Sequence, residues 1–192
     1  MNKVKVLIEG YARVSSGGTW DATSSATLID TGKFKVIVDP GCNRKLLLRR
    51  IKKEGLKTSD INYVFLSHYH LDHCLLTGIF ENATVFDSSV WQKRSIGGDL
   101  AGDTLPETDI KIIKTPGHTL DHASLLIPTS EGKVLISADV FWWKENEEGK
   151  VDIDKVDEFA LDINALKASR KKALEIADFI IPGHGKMFRV EK

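Results

Sequence analysis

The chain has 192 residues, with 27 Lys plus Arg against 27 Asp plus Glu, so its formal net charge is zero. That length buries a sizeable core without disulfides, and the even balance excludes a global electrostatic pull toward nucleic acid or an anionic membrane. Its two cysteines, Cys42 and Cys74, have no Cys-x-x-Cys spacing, which excludes a disulfide framework and a thiolate zinc cluster.

The elements follow in order. Residues 4–8 alternate polar and apolar, which predicts a first strand and not a signal peptide. Residues 15–25 are rich in Gly, Ser and Thr and predict a loop. Trp20 inside it marks either a substrate flap or a loop pinned to the core. Residues 26–30 and 35–38 flank Thr31-Gly32-Lys33 and predict a hairpin. Residues 44–54 carry Leu47, Leu48 and Ile51 on one side of a predicted helix, and Gly55 stands where a C-terminal cap belongs. The helix's five basic residues read as a solvated face.

Residues 63–66 form a short apolar run, as in a strand buried on both faces. Further strands are predicted over 84–86, 110–113, 124–127, 134–136 and 179–181, with a loop over 97–107. Val156, Phe159, Ile163 and Leu166 recur at helical spacing, which predicts one or two helices between residues 155 and 177. No stretch approaches the roughly 20 apolar residues of a membrane span. The expectation is one domain over residues 1–192, of mixed α/β (α+β) class, with two mixed sheets packed face to face and helices outside. A cytoplasmic location with reduced thiols is expected.

The chemistry concentrates at the histidines. His68, His70 and His73 fall with Asp72 in Ser67-His68-Tyr69-His70-Leu71-Asp72-His73, directly after the predicted strand at 63–66. Imidazoles and carboxylates are good ligands for zinc and other first-row metals. His118 follows Thr115-Pro116-Gly117, and His184 follows Ile181-Pro182-Gly183. Pro-Gly bends let a backbone approach a site closely. Asp139 ends the predicted strand Ile136-Ser137-Ala138, and its two oxygens suit it to bridge two ions. Seven candidate ligands, each expected just past a strand end, fit two ions better than one.

These ordered motifs resemble the metallo-β-lactamase superfamily, and Asp39-Pro40-Gly41 is similar to its early Asp-x-Gly motif. The resemblance covers about residues 4–186. It implies a four-layer αβ/βα sandwich with the site along one edge of the sheets. By position it implies that His68, His70 and His118 bind one metal and that Asp72, His73 and His184 bind the second, with Asp139 bridging. Residues 80–83 and 102–105 resemble a compact branch of the superfamily. No Cys replaces a ligand as in the broad-spectrum lactamase branch, and no Glu replaces His70 as in the flavodiiron pattern. Residues 115–122 also resemble the hydroxyacylglutathione hydrolase pattern, but with Asp121 where that branch has Gly, and Cys74-Leu75-Leu76 departs from the small, Gly-containing segment that often follows Asp-His; both departures weaken any transfer of substrate.

The expected activity is a dinuclear metal-dependent hydrolase. A metal-bridging hydroxide would attack a small ester, thioester, lactone or lactam, and Asp72 would carry a proton to the leaving group. The alternative is a phosphodiesterase or ribonuclease using the same ions, supported only by the basic helix at 44–53. A mononuclear iron oxidation and a non-catalytic metal-stabilised module are disfavoured by the complete ligand set. Zn is the expected metal, with Fe or Mn also suited. A small-molecule substrate is the expected partner, and a homodimer is compatible with the chain.

Asp39 is expected to orient a ligand or bond to backbone. His122 has three readings: it orients a ligand, protonates a leaving group, or is a surface or capping histidine. Phe141-Trp142-Trp143 follows Asp139, and at least one of these, Trp142 among them, is expected to line a substrate pocket.

Overall fold

The structure is a computed structural model and describes residues 1–14, 17–147 and 150–191. Ser15 and Ser16 of the predicted loop lie outside the described residues. Among the described residues, one sheet has seven strands in the order β1-β4-β5-β6-β7-β8-β9. These are β1 (Lys3–Ile8), β4 (Ala26–Asp30), β5 (Lys35–Val38), β6 (Tyr63–Phe65), β7 (Thr84–Phe86), β8 (Val90–Lys93) and β9 (Ile96–Asp99). The second sheet runs β10 (Lys111–Lys114), β11 (Ala123–Thr129), β12 (Gly132–Trp142), β13 (Phe179–His184) and β14 (Phe188–Arg189). A separate ribbon pairs β2 (Tyr11–Val14) with β3 (Trp20–Thr23).

The layers follow from which faces are apolar. Ile29, Val36, Val38 and Phe65 of the first sheet meet Ile112, Leu125, Ile127 and Ile136 of the second in one core. The opposite face of the first sheet, with Leu28, Ile37 and Val64, buries Leu47 and Ile51 of α1 (Arg44–Lys53). Asn43 caps that helix by accepting from the Leu46 N–H at 3.1 Å. Arg50, Lys52 and Lys53 in its last turn complement the dipole. The outer face of the second sheet, with Leu135 and Ile180, buries Leu166 and Ala173 of α3 (Ile163–Ile176). This is the expected four-layer αβ/βα sandwich. No helix among the described residues is long and apolar enough to cross a membrane.

Strand direction places the site. β6 runs parallel to both β5 and β7, and β12 runs parallel to β13. The carboxyl ends of neighbouring parallel strands form a crevice where ligands collect. The loop from Ser67 into the short helix α2 (Leu71–Cys74) leaves β6 at that end.

Four expectations change. Residues 17–25 are not all loop, because Trp20–Thr23 pairs with Tyr11–Val14. The loop expected from Gly97 is half of a β8–β9 hairpin, and its glycines answer to Trp91: a Cβ on Gly98 would sit 3.2 Å from that indole nitrogen. The helix predicted from residue 155 starts at Ile163. Val156 and Phe159 are 80% and 54% exposed, so their spacing marks no buried stripe, and Asp162 caps the helix by accepting from Asn164 and Ala165. Finally, Asp139 and His184 do not follow strand ends. β12 runs on to Trp142, with Asp139 inside it, and His184 is the last residue of β13.

Candidate metal centre

A regular strand would alternate Asp139 with its neighbours, but β12 is irregular here. Ala138 has φ +43° and the pairing with β13 shifts on either side of it. The break turns the Asp139 carboxylate along the strand ends, over Gly183. A Cβ on Gly183 would lie 1.7 Å from Asp139 Oδ1, so a glycine is needed for that approach. Gly117 serves similarly before His118: it has φ +137°, and a Cβ there would meet the Leu166 backbone nitrogen at 2.2 Å.

All seven sequence-predicted ligands converge. His68, His70, His118 and Asp139 offer donor atoms within 4.8 Å of one another, and so do Asp72, His73 and His184. The carboxylate of Asp139 stands between the groups. Its Oδ2 lies 3.3 Å from His118 Nε2 and 3.9 Å from His68 Nε2, and its Oδ1 lies 3.2 Å from His73 Nε2 and 3.8 Å from His184 Nε2. Asp72 Oδ2 faces His184 Nε2 at 3.2 Å, and His70 Nδ1 faces His118 Nε2 at 3.0 Å.

The other ring nitrogens are fixed from behind. His73 Nδ1 donates to Asp39 Oδ2 at 2.9 Å, and His118 Nδ1 donates to Asp157 Oδ2 at 2.8 Å. His184 Nδ1 donates to the carbonyls of Tyr11 at 3.0 Å and Thr23 at 3.1 Å. The Ser67 hydroxyl gives its one proton to Asp39 Oδ2 at 2.6 Å, so it accepts from His68 Nδ1 at 2.9 Å. In all four rings the tautomer that satisfies Nδ1 leaves the Nε2 lone pair facing the cluster.

The atoms that face inward fit metal ions. His68 Nε2, His73 Nε2 and Asp139 Oδ1 are buried without a hydrogen-bond partner, and such groups are costly unless something fills the gap. Electrostatics divide the rings between those held neutral and those on which an ion must displace a proton. Burial, and then the charge of His73, hold His68 well below the usual imidazole value; burial and His118 lower His70. Burial also opposes charge on Asp139, but His73 and His184 overcome it and hold the carboxyl well below its usual range. Burial works against a charged His73, yet Asp139 and Asp39 raise it well above the ordinary value.

The remaining candidates divide. Asp39 is buried and orients His73, as expected of a hydrogen bonder. His122 is 1% exposed, which removes the reading of a surface histidine. It is lowered to about 3, chiefly by burial. Its Nδ1 meets Thr115 Oγ1 at 3.0 Å, and its ring lies 5.0 Å from His68. Phe141, Trp142 and Trp143 are all buried; Phe141 and Trp143 stack in the core under α3, whereas Trp142 stands 6.3 Å from the His184 ring. Trp20 is 73% exposed, so it pins nothing to the core. Ser67 and Asp157 were missed by sequence reasoning. Ser67 adjoins a ligand, but a lone Ser carries no signal, and Asp157 is 39 residues from His118.

A family model for the metallo-beta-lactamase superfamily matches residues 20–90. Metallo-beta-lactamase domain-containing protein 1 of Xenopus laevis is 34% identical over 203 residues, covering 100% of this chain and 83% of that protein. An N-acyl homoserine lactonase of a Bacillus species is 29% identical over 150 residues, covering 70% of this chain and 60% of that one. A solved Thermotoga maritima structure assigned to the metallo-beta-lactamases shares the fold, with a TM-score of 0.73 at 22% identity over 98% of this chain and 99% of that one. With a relative of that identity along its whole length and this arrangement of donors, the chain belongs to the metallo-β-lactamase superfamily, as a metal-dependent hydrolase.

Proposed function

We propose that residues 1–192 form one metallo-β-lactamase-like domain that holds two divalent ions, zinc foremost, and hydrolyses a small lactone or related ester. The observation that carries the reading is Asp139, whose Oδ2 faces one donor group at 3.3 Å and whose Oδ1 faces the other at 3.2 Å. His68, His70 and His118 would hold one ion and Asp72, His73 and His184 the other, with the Asp139 carboxylate between the two groups. When bound, two such ions supply Lewis acidity and lower the pKa of water.

The protein's own groups do the rest. Asp72 is the most solvent-accessible carboxylate of the set, with a side chain 27% exposed against 6% for Asp139. Burial would raise it, but the His184 bond and His73 lower it, so it stands ready as a base. With Oδ2 turned to His184, its other oxygen takes the proton of the attacking water. It then returns that proton to the leaving alkoxide as the carbonyl carbon–oxygen bond breaks. Trp142, whose ring stands 6.3 Å from that of His184, gives the site an apolar wall suited to an uncharged substrate, and we assign the exposed Trp20 to the mouth because its strand ends at Thr23, whose carbonyl accepts from His184. The lactonase relative favours a lactone within the ester class. Both cysteines are free, which supports a reducing compartment, the cytoplasm.

The test is metal analysis followed by parallel assay of a lactone, a thioester, a β-lactam and a bis-aryl phosphodiester. Two ions per chain and lactone turnover abolished by Asp72→Ala are expected. An active protein without metal and indifferent to chelator would end this reading. Fastest turnover of the phosphodiester would transfer the site to the alternative chemistry.

A further inference from the structure

Arg170 lies on α3 and is 2% exposed. Among the described residues no carboxylate oxygen comes within ion-pair distance of it. Burying an unpaired cation costs several kcal/mol, in order of magnitude, so this side chain is a poor choice for packing alone. Its donors go to three backbone carbonyls. Nε reaches Val140 O at 3.0 Å, and Nη1 reaches Ile153 O at 3.0 Å and Lys155 O at 2.5 Å.

Those carbonyls belong to two parts of the centre. Val140 follows the bridging Asp139 on β12. Ile153 and Lys155 precede Asp157, whose Oδ2 accepts from His118 Nδ1 at 2.8 Å. The described residues from 150 to 162 contain neither helix nor strand. Their backbone is tied to the His118 turn by Leu161 N–H to His118 O at 3.2 Å and Asp162 N–H to Gly117 O at 2.9 Å, and to the end of β12 by Trp143 Nε1–H to Lys150 O at 3.0 Å and Lys155 Nζ to Trp142 O at 2.9 Å; Arg170 is the group that reaches Val140, next to Asp139. Asp157, Asp152 and Asp154 supply the nearest through-space negative charge to the guanidinium. A planar fork with fixed donors suits this task, because it can grip separate strands of backbone at once.

We propose that Arg170 is a positioning residue of the metal centre, clamping the Asp157 segment to the Asp139 strand so that Asp157 holds His118 with Nε2 toward the ion. The inference rests on the reading of His118 as a ligand. Through Asp157 it fixes the tautomer and aim of one ring, and groups in that role change metal affinity by about 10–100-fold.

The experiment uses the full chain with zinc alone as probe. Wild type, Arg170→Met, Arg170→Lys, Asp157→Asn and the Met/Asn double variant are titrated against a chromophoric chelator, with circular dichroism and melting in parallel. Arg170→Met and Asp157→Asn are each expected to weaken one ion by about 10–100-fold and leave the other unchanged. The double variant should lose no more than the worse single. Lys has one nitrogen and cannot reach both carbonyl sets, so Arg170→Lys should show the same selective loss in smaller measure. That variant decides the matter if Arg170→Met does not fold. Wild-type affinity for both ions, equal weakening of both, or additive losses would overturn the proposal. If His118→Ala keeps both ions, the ligand assignment fails instead, independently of what Arg170 does.

Discussion

Asp39→Asn is the sharpest perturbation of the centre that leaves every ligand in place. Asp39 accepts three hydrogen bonds: Oδ2 from His73 Nδ1 at 2.9 Å and from Ser67 Oγ at 2.6 Å, and Oδ1 from Ser67 N at 2.8 Å. An Asn has the same shape and tolerates the left-handed φ of +48° at this position, where Ala would add strain. Its carbonyl keeps the Ser67 N–H, but its amide then points N–H groups at His73 Nδ1–H and at the Ser67 hydroxyl. To escape that clash His73 must carry its proton on Nε2, the atom facing Asp139 Oδ1 at 3.2 Å and the second ion. The expected loss is about 10–100-fold in affinity for that ion, or about 1.4–2.8 kcal/mol. The ion held by His70 and His118 should be nearly untouched, with a smaller effect through Ser67 and His68. Chelator competition reads both affinities, and a melt of the metal-free variant reads the fold. Wild-type binding of both ions, or an equal fall for both, would refute the argument that Asp39 acts by fixing one tautomer.

Four further outcomes follow from the same geometry. In the metal-free protein burial lowers His118, but Asp157 and Asp139 outweigh it and raise the ring, as Asp139 and Asp39 raise His73. Loading zinc near pH 7 should therefore release about one proton or more per chain, read by calorimetry in buffers of different ionisation heat; no release counts against the network. The same raised groups stabilise the metal-free fold fully below about pH 6.5 and lose that contribution as pH climbs through their folded values, so its melting temperature should fall on the alkaline side. Gly183→Ala should cut kcat/KM by about 100-fold, since a Cβ placed 1.7 Å from Asp139 Oδ1 forces the bridging carboxylate aside; near-normal kinetics would mean that Asp139 is not held where this geometry has it. Trp20→Ala should change folding stability by no more than about 0.5 kcal/mol at so exposed a position, while KM for a lactone rises; an unchanged KM removes Trp20 from the substrate mouth.

How much of this could be read beforehand depended on where the physics was local. Val4 to Ile8, the hairpin about Gly32 and the buried run at 63–65 carried their own periodicity and turn residues, and they form those elements. The β8–β9 hairpin did not, because Gly97 and Gly98 look like loop residues until Trp91 is placed across from them. Val156 and Phe159 misled for the opposite reason. Their spacing is helical, but the acceptors of that segment are drawn off by Arg170, and Asp162 starts the helix later.

The centre shows the same division between local and distant causes. An ion selects imidazole and carboxylate, so the groups facing it come from a short menu, and His68, His70, Asp72 and His73 stand together in six positions. The groups behind them answer to a looser demand, which is only to accept an Nδ1–H. In this chain a serine does it for His68, a carboxylate for His73 and another for His118, and two backbone carbonyls for His184. One physical task is carried out by three kinds of acceptor, two of which leave no residue pattern of their own. Asp39 was recoverable because a tight turn marks it, and Asp157 was not, because only the fold brings it to His118. The ligand set can therefore be read from composition and order, whereas the orientation of the ligands is a property of the tertiary structure. Orientation-only substitutions such as Asp39→Asn and Asp157→Asn should for that reason separate metal affinity from metal choice, weakening one ion at a time while the preference among zinc, iron and manganese stays as the unchanged ligands set it.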